Sequence, residues 1–201
     1  MNNILIVSAL DIETQGQLED WKPHNLLITG VGKVNATYHL TKRLLVDKSI
    51  NYDARINLVI NYGTAGSRKI KKKTLVDCTK FIQRDMDVTG LGFMRGETPF
   101  EDNPPITIET SKDVFNPIGR RATCGTGDNF AEDKSQYYGE VVDMEAYGLA
   151  KVCYHYDVPF ISFKYITDGA DEQAHEDWEA NLADGIEVFK EKILKELKWK
   201  Y

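Results

Sequence analysis

Short apolar runs alternate along the chain with longer segments in which apolar residues recur every three to four positions. A continuous apolar run predicts a strand that is covered on both faces. Such strands are predicted at Ile4–Ala9, Leu26–Thr29, Leu58–Tyr62, Leu75–Gln83, Ala122–Gly125, Val141–Met144 and Phe160–Thr167.

Helical periodicity predicts helices at Lys33–Val46, Glu145–Tyr156 and His175–Lys198. The last helix has an apolar stripe formed by Trp178, Leu182, Ile186, Phe189 and Ile193. Glycine-rich turns are predicted at residues 30–32 and 63–66, and a loop at Thr98–Pro105. Alternation of strands and helices predicts an α/β fold, with one three-layer α/β/α domain over residues 1–201.

Composition agrees with a globular domain, because 42% of the 201 residues are hydrophobic and 28% are charged. The formal net charge of −6 disfavours a nucleic acid as partner, since phosphate binding needs a basic surface. One basic cluster is present at Arg68, Lys69 and residues 71–73, and we interpret it as a solvated loop between strands.

The N-terminal residues MNNILIVSAL lack a basic segment and a cleavage site, so they predict a strand rather than a signal peptide. No segment has the run of about 20 apolar residues that a membrane span needs, so no membrane association is expected. The cysteines are Cys78, Cys124 and Cys153, and neither they nor the histidines have metal-ligand spacing. We expect a cytoplasmic protein with free thiols, no metal and no cofactor.

Several polar side chains follow directly after predicted strands, namely Asp11, Glu13, Thr64, Asp128, Asp143, Glu145, Thr167 and Asp168. Each carboxylate alone has a structural explanation as a helix cap, a turn residue or a first-turn charge. In an α/β sheet, however, sites gather at the carboxyl ends of strands. Carboxylates from separate strands would then converge, which is costly unless they share a proton or a substrate, and so convergence favours function.

The segment Gly30-Val31-Gly32-Lys33 has some likeness to a phosphate-binding loop. The nucleotide-binding pattern requires Ser or Thr after the lysine, and Val34 stands there. The segment is therefore interpreted as a tight turn between a strand and a helix. No serine-hydrolase signature is present in the sequence.

Taken together, these segments resemble the bacterial methylthioadenosine/S-adenosylhomocysteine nucleosidases, within the superfamily of purine and uridine phosphorylases. The resemblance covers nearly the whole chain in order and spacing. It rests on Ala9–Glu13, Thr29–Ala36, Val59–Gly66, Arg84–Thr89, Gly127–Phe130, Val142–Ala146 and Val158–Asp171. It implies a nucleoside phosphorylase-like fold with a central mixed sheet.

The resemblance also implies roles for individual residues. Glu13 would activate the attacking water, Glu145 would hold the ribose hydroxyls beside Met144, and Asp168 would protonate N7 of the purine. Phe130 would stack on the base. The predicted substrate-binding set is completed by Thr64, Asp143 and Ala131.

Water is favoured over phosphate as the nucleophile. The phosphorylases that the chain resembles carry an arginine where Asn61 stands, and a cationic segment where Glu13 stands. Phosphate recognition usually uses a bidentate guanidinium, and an anion at this place would repel phosphate. The alternatives are a phosphate-dependent purine nucleoside phosphorylase and a catalytically inactive nucleoside-binding protein.

The chain departs from the family pattern at Lys164, where arginine is common, and at Arg84, where histidine is frequent. It also departs at Ser67-Arg68-Lys69, which replaces a glycine-rich continuation. These changes bear on substrate choice among methylthioadenosine, S-adenosylhomocysteine, adenosine, inosine and futalosine-like nucleosides. The family's 5′-substituent pocket includes a neighbouring subunit, so the resemblance implies a homodimer.

Overall fold

The computed structural model describes residues 3–21, 25–50, 55–101 and 106–200. Its strands are β1 (Ile4–Ser8), β2 (Leu26–Ile28), β3 (Leu58–Gly66), β4 (Leu75–Gln83), β5 (Ile108–Glu109), β6 (Ala122–Thr126), β7 (Val141–Asp143) and β8 (Phe160–Asp168). Its helices are α1 (Asp11–Thr14), α2 (Lys33–Ile50), α3 (Ala146–Tyr156), α4 (Ala174–Asn181), α5 (Gly185–Phe189) and α6 (Lys195–Lys200).

All of these strands belong to one mixed sheet. Strand β8 lies at its centre, parallel to β3 and antiparallel to β4. Strands β1 and β2 extend the sheet beyond β3, and β6 and β7 extend it beyond β4. A single antiparallel pairing between Gly66 and Val142 joins β3 to β7 and closes a ring of strands. This closure brings the carboxyl ends of β3 and β7 together although the strands run in opposite directions.

Two hydrophobic cores lie on opposite faces of the sheet, which confirms the predicted three layers. Helices α2 and α3 cover one face, where Leu40 and Leu149 are fully buried. The C-terminal helical segment covers the other face, where Ile186, Phe189 and Ile193 are fully buried. Fully burying one such side chain contributes about 1.5–3 kcal/mol, so both helical layers are held mainly by apolar contact.

Strand β4 has the predicted bounds, but the predicted turn at residues 63–66 is wrong. This segment continues β3, and it pairs in parallel with β8 from Gly63 opposite Lys164 as far as Gly66 opposite Asp168. Glycine usually interrupts strands, which motivated the prediction. Here the glycines leave room for side chains that approach β3 from neighbouring elements.

The other differences concern the ends of elements. Helix α2 continues to Ile50, and α3 begins at Ala146 rather than Glu145. The short strand β5 was not predicted. The predicted C-terminal helix is divided between α4, α5 and α6 by a 3-10 turn at Leu182–Asp184 and a π turn at Lys190–Leu194. Within the predicted loop Thr98–Pro105, residues 102–105 lie outside the described residues.

The basic cluster forms the loop between β3 and β4, as predicted, but it is not only solvated. The ammonium group of Lys72 pairs with Asp177, and that of Lys73 pairs with Asp184 at 3.0 Å. The loop therefore contacts the C-terminal helical segment. No helix in the described ranges is long and apolar enough to cross a membrane.

Candidate functional site

A cleft of about 710 Å³, including its open mouth, lies where the carboxyl ends of β1, β3, β7 and β8 meet. Every residue of the predicted catalytic and substrate-binding set lines it. The lining comprises Ala9, Leu10, Glu13, Val31, Thr64, Ala65, Gly66, Arg84, Asn129, Phe130, Ala131, Val142, Asp143, Met144, Glu145, Asp168 and Trp178. The structure thus brings together residues that are up to 169 positions apart in the chain, from Ala9 to Trp178.

Glu13 lies in the short helix α1 directly after β1 and is 4% exposed. Its Oε1 accepts hydrogen bonds from the backbone N–H of Thr64 at 2.8 Å and from the Thr64 hydroxyl at 2.9 Å. Its Oε2 accepts from the Ser8 hydroxyl at 3.0 Å and from the Leu10 N–H at 3.2 Å. All of these groups donate to the carboxyl group, which is the arrangement that an acceptor-only carboxylate requires.

Asp143 and Lys164 form a buried ion pair at 2.8 Å, and each side chain is 1% exposed. Asp143 also accepts from the Thr126 hydroxyl at 2.6 Å and from the N–H of Ala146 at 2.8 Å, at the start of α3. Burial by itself would raise the pKa of Asp143, but the Lys164 charge lowers it overall. Burial would likewise lower the pKa of Lys164, but Asp143 and Glu145 raise it overall. Both groups are therefore charged at neutral pH.

Glu145 precedes α3 and is 7% exposed. Its Oε1 accepts a hydrogen bond from the N–H of Gly32 at 2.9 Å, in the turn before α2. Burial and the nearby charge of Asp143 raise the pKa of Glu145 to about 8, although Lys164 opposes the shift. This carboxyl group therefore holds its proton to higher pH than an ordinary glutamate does.

Asp168 ends β8 and faces the cleft with 4% exposure. Its oxygens accept from the N–H of Ala170 and the hydroxyl of Thr167, both at 2.9 Å. Burial raises the pKa of Asp168, although these hydrogen bonds oppose the shift. The carboxyl group lies so close to Gly66 that a Cβ atom at that position would collide with Oδ1, which explains the glycine in β3.

The predicted base-stacking residue, Phe130, follows β6 in an irregular segment that also lines the cleft. Its ring is 38% exposed and makes an edge contact with His175, with 6.1 Å between ring centroids. Ala131 is buried and packs with Val142 and Ala170. Two parts of the lining thus differ in chemistry. The part formed by the carboxyl groups is called the sugar end and the part formed by the Phe130 segment the base end, after the roles that we propose for them below.

The cleft is also lined by polar residues that the sequence does not place in the site, among them Arg84, Asn129 and Trp178. Periodicity places Trp178 in an apolar stripe, but it lines the cleft and its indole N–H donates to the Thr64 hydroxyl at 2.9 Å. Its polar N–H was the signal available in the sequence. Asn61 was assigned to the nucleophile site, but it lies within β3, where its amide donates to the Val7 carbonyl at 3.0 Å and accepts from the Ser162 hydroxyl at 2.7 Å. Asn61 therefore says nothing about the nucleophile.

The chemistry available in the cleft is that of carboxyl groups in different environments. The carboxyl groups of Asp168 and Glu145 hold their protons to higher pH than ordinary carboxyls do, because burial raises their pKa. A raised pKa of this kind suits a carboxyl group to act as an acid near neutral pH. Glu13, which lines the same cleft, accepts all four of its hydrogen bonds. Among the described residues, no group of histidine, cysteine and carboxylate side chains has the arrangement of a metal site.

The sequence matches the family model described as "Phosphorylase superfamily" over residues 14–197. It is 32% identical to a 5′-methylthioadenosine/S-adenosylhomocysteine nucleosidase from Exiguobacterium over 75% of this chain and 69% of that protein. It is 33% identical to a nucleosidase of the same name from Haemophilus influenzae over 74% of this chain and 69% of that protein.

Solved structures share the fold. A Helicobacter pylori nucleosidase mutant with 5′-methylthioadenosine in its active site has a TM-score of 0.79 and 22% identity, covering 97% of this chain and 99% of that one. A mutant futalosine hydrolase from the same organism has a TM-score of 0.78 and 21% identity, covering 97% and 100%. At such identities these neighbours bear on the architecture of the chain alone.

Proposed function

This chain belongs to the phosphorylase superfamily, and we propose that Glu13, Glu145 and Asp168 carry its chemistry. It is an N-glycosidic purine nucleoside hydrolase of the methylthioadenosine/S-adenosylhomocysteine nucleosidase type. The observation that supports the proposal is the convergence of these three residues in one cleft, each less than 8% exposed. As the bond to the base breaks, the sugar gains positive charge and the base gains negative charge. The cleft has acidic groups for both.

Asp168 is proposed as the general acid that protonates N7 of the departing purine. Its raised pKa favours a carboxyl group that still holds a proton when the substrate binds. The hydrogen bonds from Ala170 and Thr167 fix the orientation of the carboxyl group toward the cleft. Positioned proton transfer of this kind contributes about 100- to 10,000-fold to a rate.

Glu145 is proposed to bind the ribose hydroxyls, with Met144 against the sugar. Its pKa is about 8, so the charged form needs additional donors near neutral pH. The ribose hydroxyls would supply such donors beside the N–H of Gly32. The positive charge that develops on the sugar favours the anion further, so the interaction strengthens toward the transition state.

Glu13 is proposed as the base that activates water. Its carboxylate occupies the position after β1 where a phosphate would need positive charge, and it also accepts from the N–H and hydroxyl of Thr64. A phosphate ion would therefore meet a carboxylate in place of free donors. Since Asn61 lies outside the cleft, the proposed preference for water rests on Glu13.

Product analysis tests the nucleophile. The purified protein is incubated with methylthioadenosine, S-adenosylhomocysteine, adenosine, inosine and futalosine, with and without phosphate. We expect free base and a free ribose derivative, at a rate that does not change with phosphate. A sugar 1-phosphate as product would contradict hydrolysis, and binding without release of base from any nucleoside would favour an inactive binding protein.

Within this substrate class, methylthioadenosine or S-adenosylhomocysteine is our first choice, because the curated relatives that are 32–33% identical carry that name. The same panel decides this point. If futalosine is cleaved with the highest kcat/KM, the choice of substrate is wrong while the hydrolytic reaction stands.

We further propose a cytoplasmic homodimer. Helix α2 buries Leu40 and Leu44 against the sheet, whereas Val34, Tyr38 and Leu45 are 53–78% exposed on its other side. Exposed apolar surface of this kind is typical of an interface. The free thiols of the three buried cysteines support a reducing compartment. Light scattering should give twice the monomer mass for the wild type, and a lower mass for Tyr38→Glu.

A further inference from the structure

Arg84 is a buried cation that the proposed mechanism does not use. It follows β4 directly, lines the cleft and is 2% exposed. Burial lowers the pKa of the guanidinium, against the influence of Asp85 and Asp143. Arginine is almost never fully buried unless it is paired, so the contacts of the Arg84 guanidinium should show what it stabilises.

The guanidinium binds the segment that forms the base end. Nη2 donates to the carbonyl oxygens of Asn129 and Gly127, and Nη1 donates to the Asn129 side-chain oxygen at 3.0 Å and to the Gln136 carbonyl at 3.3 Å. Asn129 lies immediately before Phe130. One planar cation therefore fixes both the start of this segment and its return at Gln136.

Gly127 makes this contact possible. A Cβ atom at position 127 would lie 2.8 Å from Cζ of Arg84 and 3.0 Å from Nη1. Any larger residue would displace the guanidinium. The glycine before Asp128 thus has a physical role, which is the close approach of Arg84 beneath the segment.

The contacts leave part of Arg84 unsatisfied. Its Nε is buried without a hydrogen-bond partner in the described part of the chain. A buried donor without an acceptor destabilises the folded chain. The contacts of Nη1 and Nη2 with residues 127–136 therefore indicate the role of Arg84 better than its burial does.

A second connection holds the same segment from outside. The Lys33 ammonium contacts Asp85 at 2.5 Å, and Asp85 accepts from the N–H of Asp128 at 2.9 Å. Both side chains are partly exposed, so dissolved salt screens this ion pair. Arg84 is 2% exposed and holds the same segment from the buried side.

We propose that Arg84 is a positioning residue that sets the affinity of the site for the purine base, by holding residues 127–130 in place for Phe130 to stack. This inference rests on the proposed function. Arg84 does not touch the carboxyl groups that move protons in the proposed mechanism, so its loss should weaken binding of the base and leave the chemical step nearly unchanged.

The test uses Arg84→Gln and Arg84→Lys, with adenine affinity measured by calorimetry beside kcat and KM for methylthioadenosine. Both variants should raise the adenine Kd and the KM about tenfold or more, with kcat within about threefold of wild type. Lysine keeps the charge but lacks the fork, so it should not restore affinity fully. The control Arg120→Gln removes a half-exposed guanidinium elsewhere and should change neither quantity.

Gly127→Ala displaces the Arg84 guanidinium without changing Arg84 itself. This variant keeps the proposal testable if the Arg84 variants do not fold. It should give the same rise in adenine Kd, and the double variant with Arg84→Lys should be less than additive. Additive losses, an unchanged adenine Kd, or a fall in kcat at unchanged KM would each overturn the proposal. If the wild type cleaves no nucleoside, the proposed function fails instead, and the adenine Kd still decides the role of Arg84.

Discussion

The two ends of the cleft are built by different means. At the sugar end, Glu13, Asp143 and Glu145 lie at strand ends or in the residues after them, and Lys164 lies within β8. All of these side chains are less than 8% exposed. At the base end, Phe130 is 38% exposed on an irregular segment. The side chains of the sugar end are positioned by the sheet itself. Those of the base end are positioned by contacts to a segment that lies outside the sheet.

This difference predicts different sensitivities. Charges at the sugar end are largely buried, so removing one partner leaves another uncompensated. Groups at the base end contribute mainly apolar area and loop position, where losses are smaller. Mutations at the sugar end should therefore affect stability or the chemical step, and those at the base end should affect binding.

Lys164→Met should have the largest effect. The change keeps an apolar stem of similar length but leaves the buried Asp143 without its cation. Breaking a buried pair in this way costs about 3–5 kcal/mol, so we expect a loss of that size in the free energy of unfolding, measured by urea titration. Lys80→Met is the matched control in β4, since its pair with Glu109 is exposed, and it should cost at most about 1 kcal/mol. Equal losses in both variants would show that Asp143 and Lys164 do not depend on each other.

Asp168→Asn should have the next largest effect, on turnover alone. Asparagine keeps the shape and can bind the purine, but it cannot supply an acidic proton. We expect kcat to fall about 100-fold or more while the adenine Kd, measured by calorimetry, stays close to wild type.

The same substitution at a turn residue provides the comparison. Asp157 ends α3 in a left-handed conformation, with φ of 54°, where asparagine serves as well as aspartate. Asp157→Asn should keep full activity and stability. If Asp168→Asn behaves in the same way, Asp168 is a turn-forming residue and not the acid.

The carboxyl groups that follow strands were the more predictable part of the site from the sequence. Glu13 and Glu145 at the sugar end, and Asp168 at the end of β8, follow apolar runs, and the rule that sites form at strand ends places them together. The ring closure between Gly66 and Val142 has no local signal, because a single pairing between strands of opposite direction depends on the curvature of the whole sheet.

Other errors have a similar cause. The glycines of β3 were interpreted as a turn because glycine usually interrupts strands, but here Gly66 is needed for the close approach of Asp168. Trp178 was assigned by periodicity, which reports which face of a helix is apolar and not what an indole N–H contacts. The contacts of Arg84 depend on the path of a distant segment, so only the structure reveals them.

Phe130→Leu should have a moderate effect, at the base end. Loss of aromatic stacking on a base costs about 1–3 kcal/mol when alanine replaces the ring, and leucine keeps part of the apolar contact. We expect KM to rise about fivefold to tenfold with little change in kcat, as steady-state kinetics would show. Phe100→Leu is the control, because Phe100 is 94% exposed away from the cleft lining. A large fall in kcat for Phe130→Leu would contradict the division between the two ends.

The smallest effect concerns stability as a function of pH at Glu145. Its pKa is about 8 in the folded protein and about 4.3 in an unfolded chain, so the folded state binds the proton more tightly. The stabilising contribution of this group is complete below pH 4.3, falls as the pH rises, and is lost above pH 8.

Glu145→Gln does not titrate and keeps an oxygen that can accept from Gly32. The Tm of the variant should therefore rise relative to wild type from pH 5 to pH 8 and level off above pH 8. Glu187→Gln, at an exposed surface pair, should show a constant small difference in the same scans. A Tm difference for Glu145→Gln that stays constant or shrinks over this range would mean that Glu145 is already charged before the substrate binds.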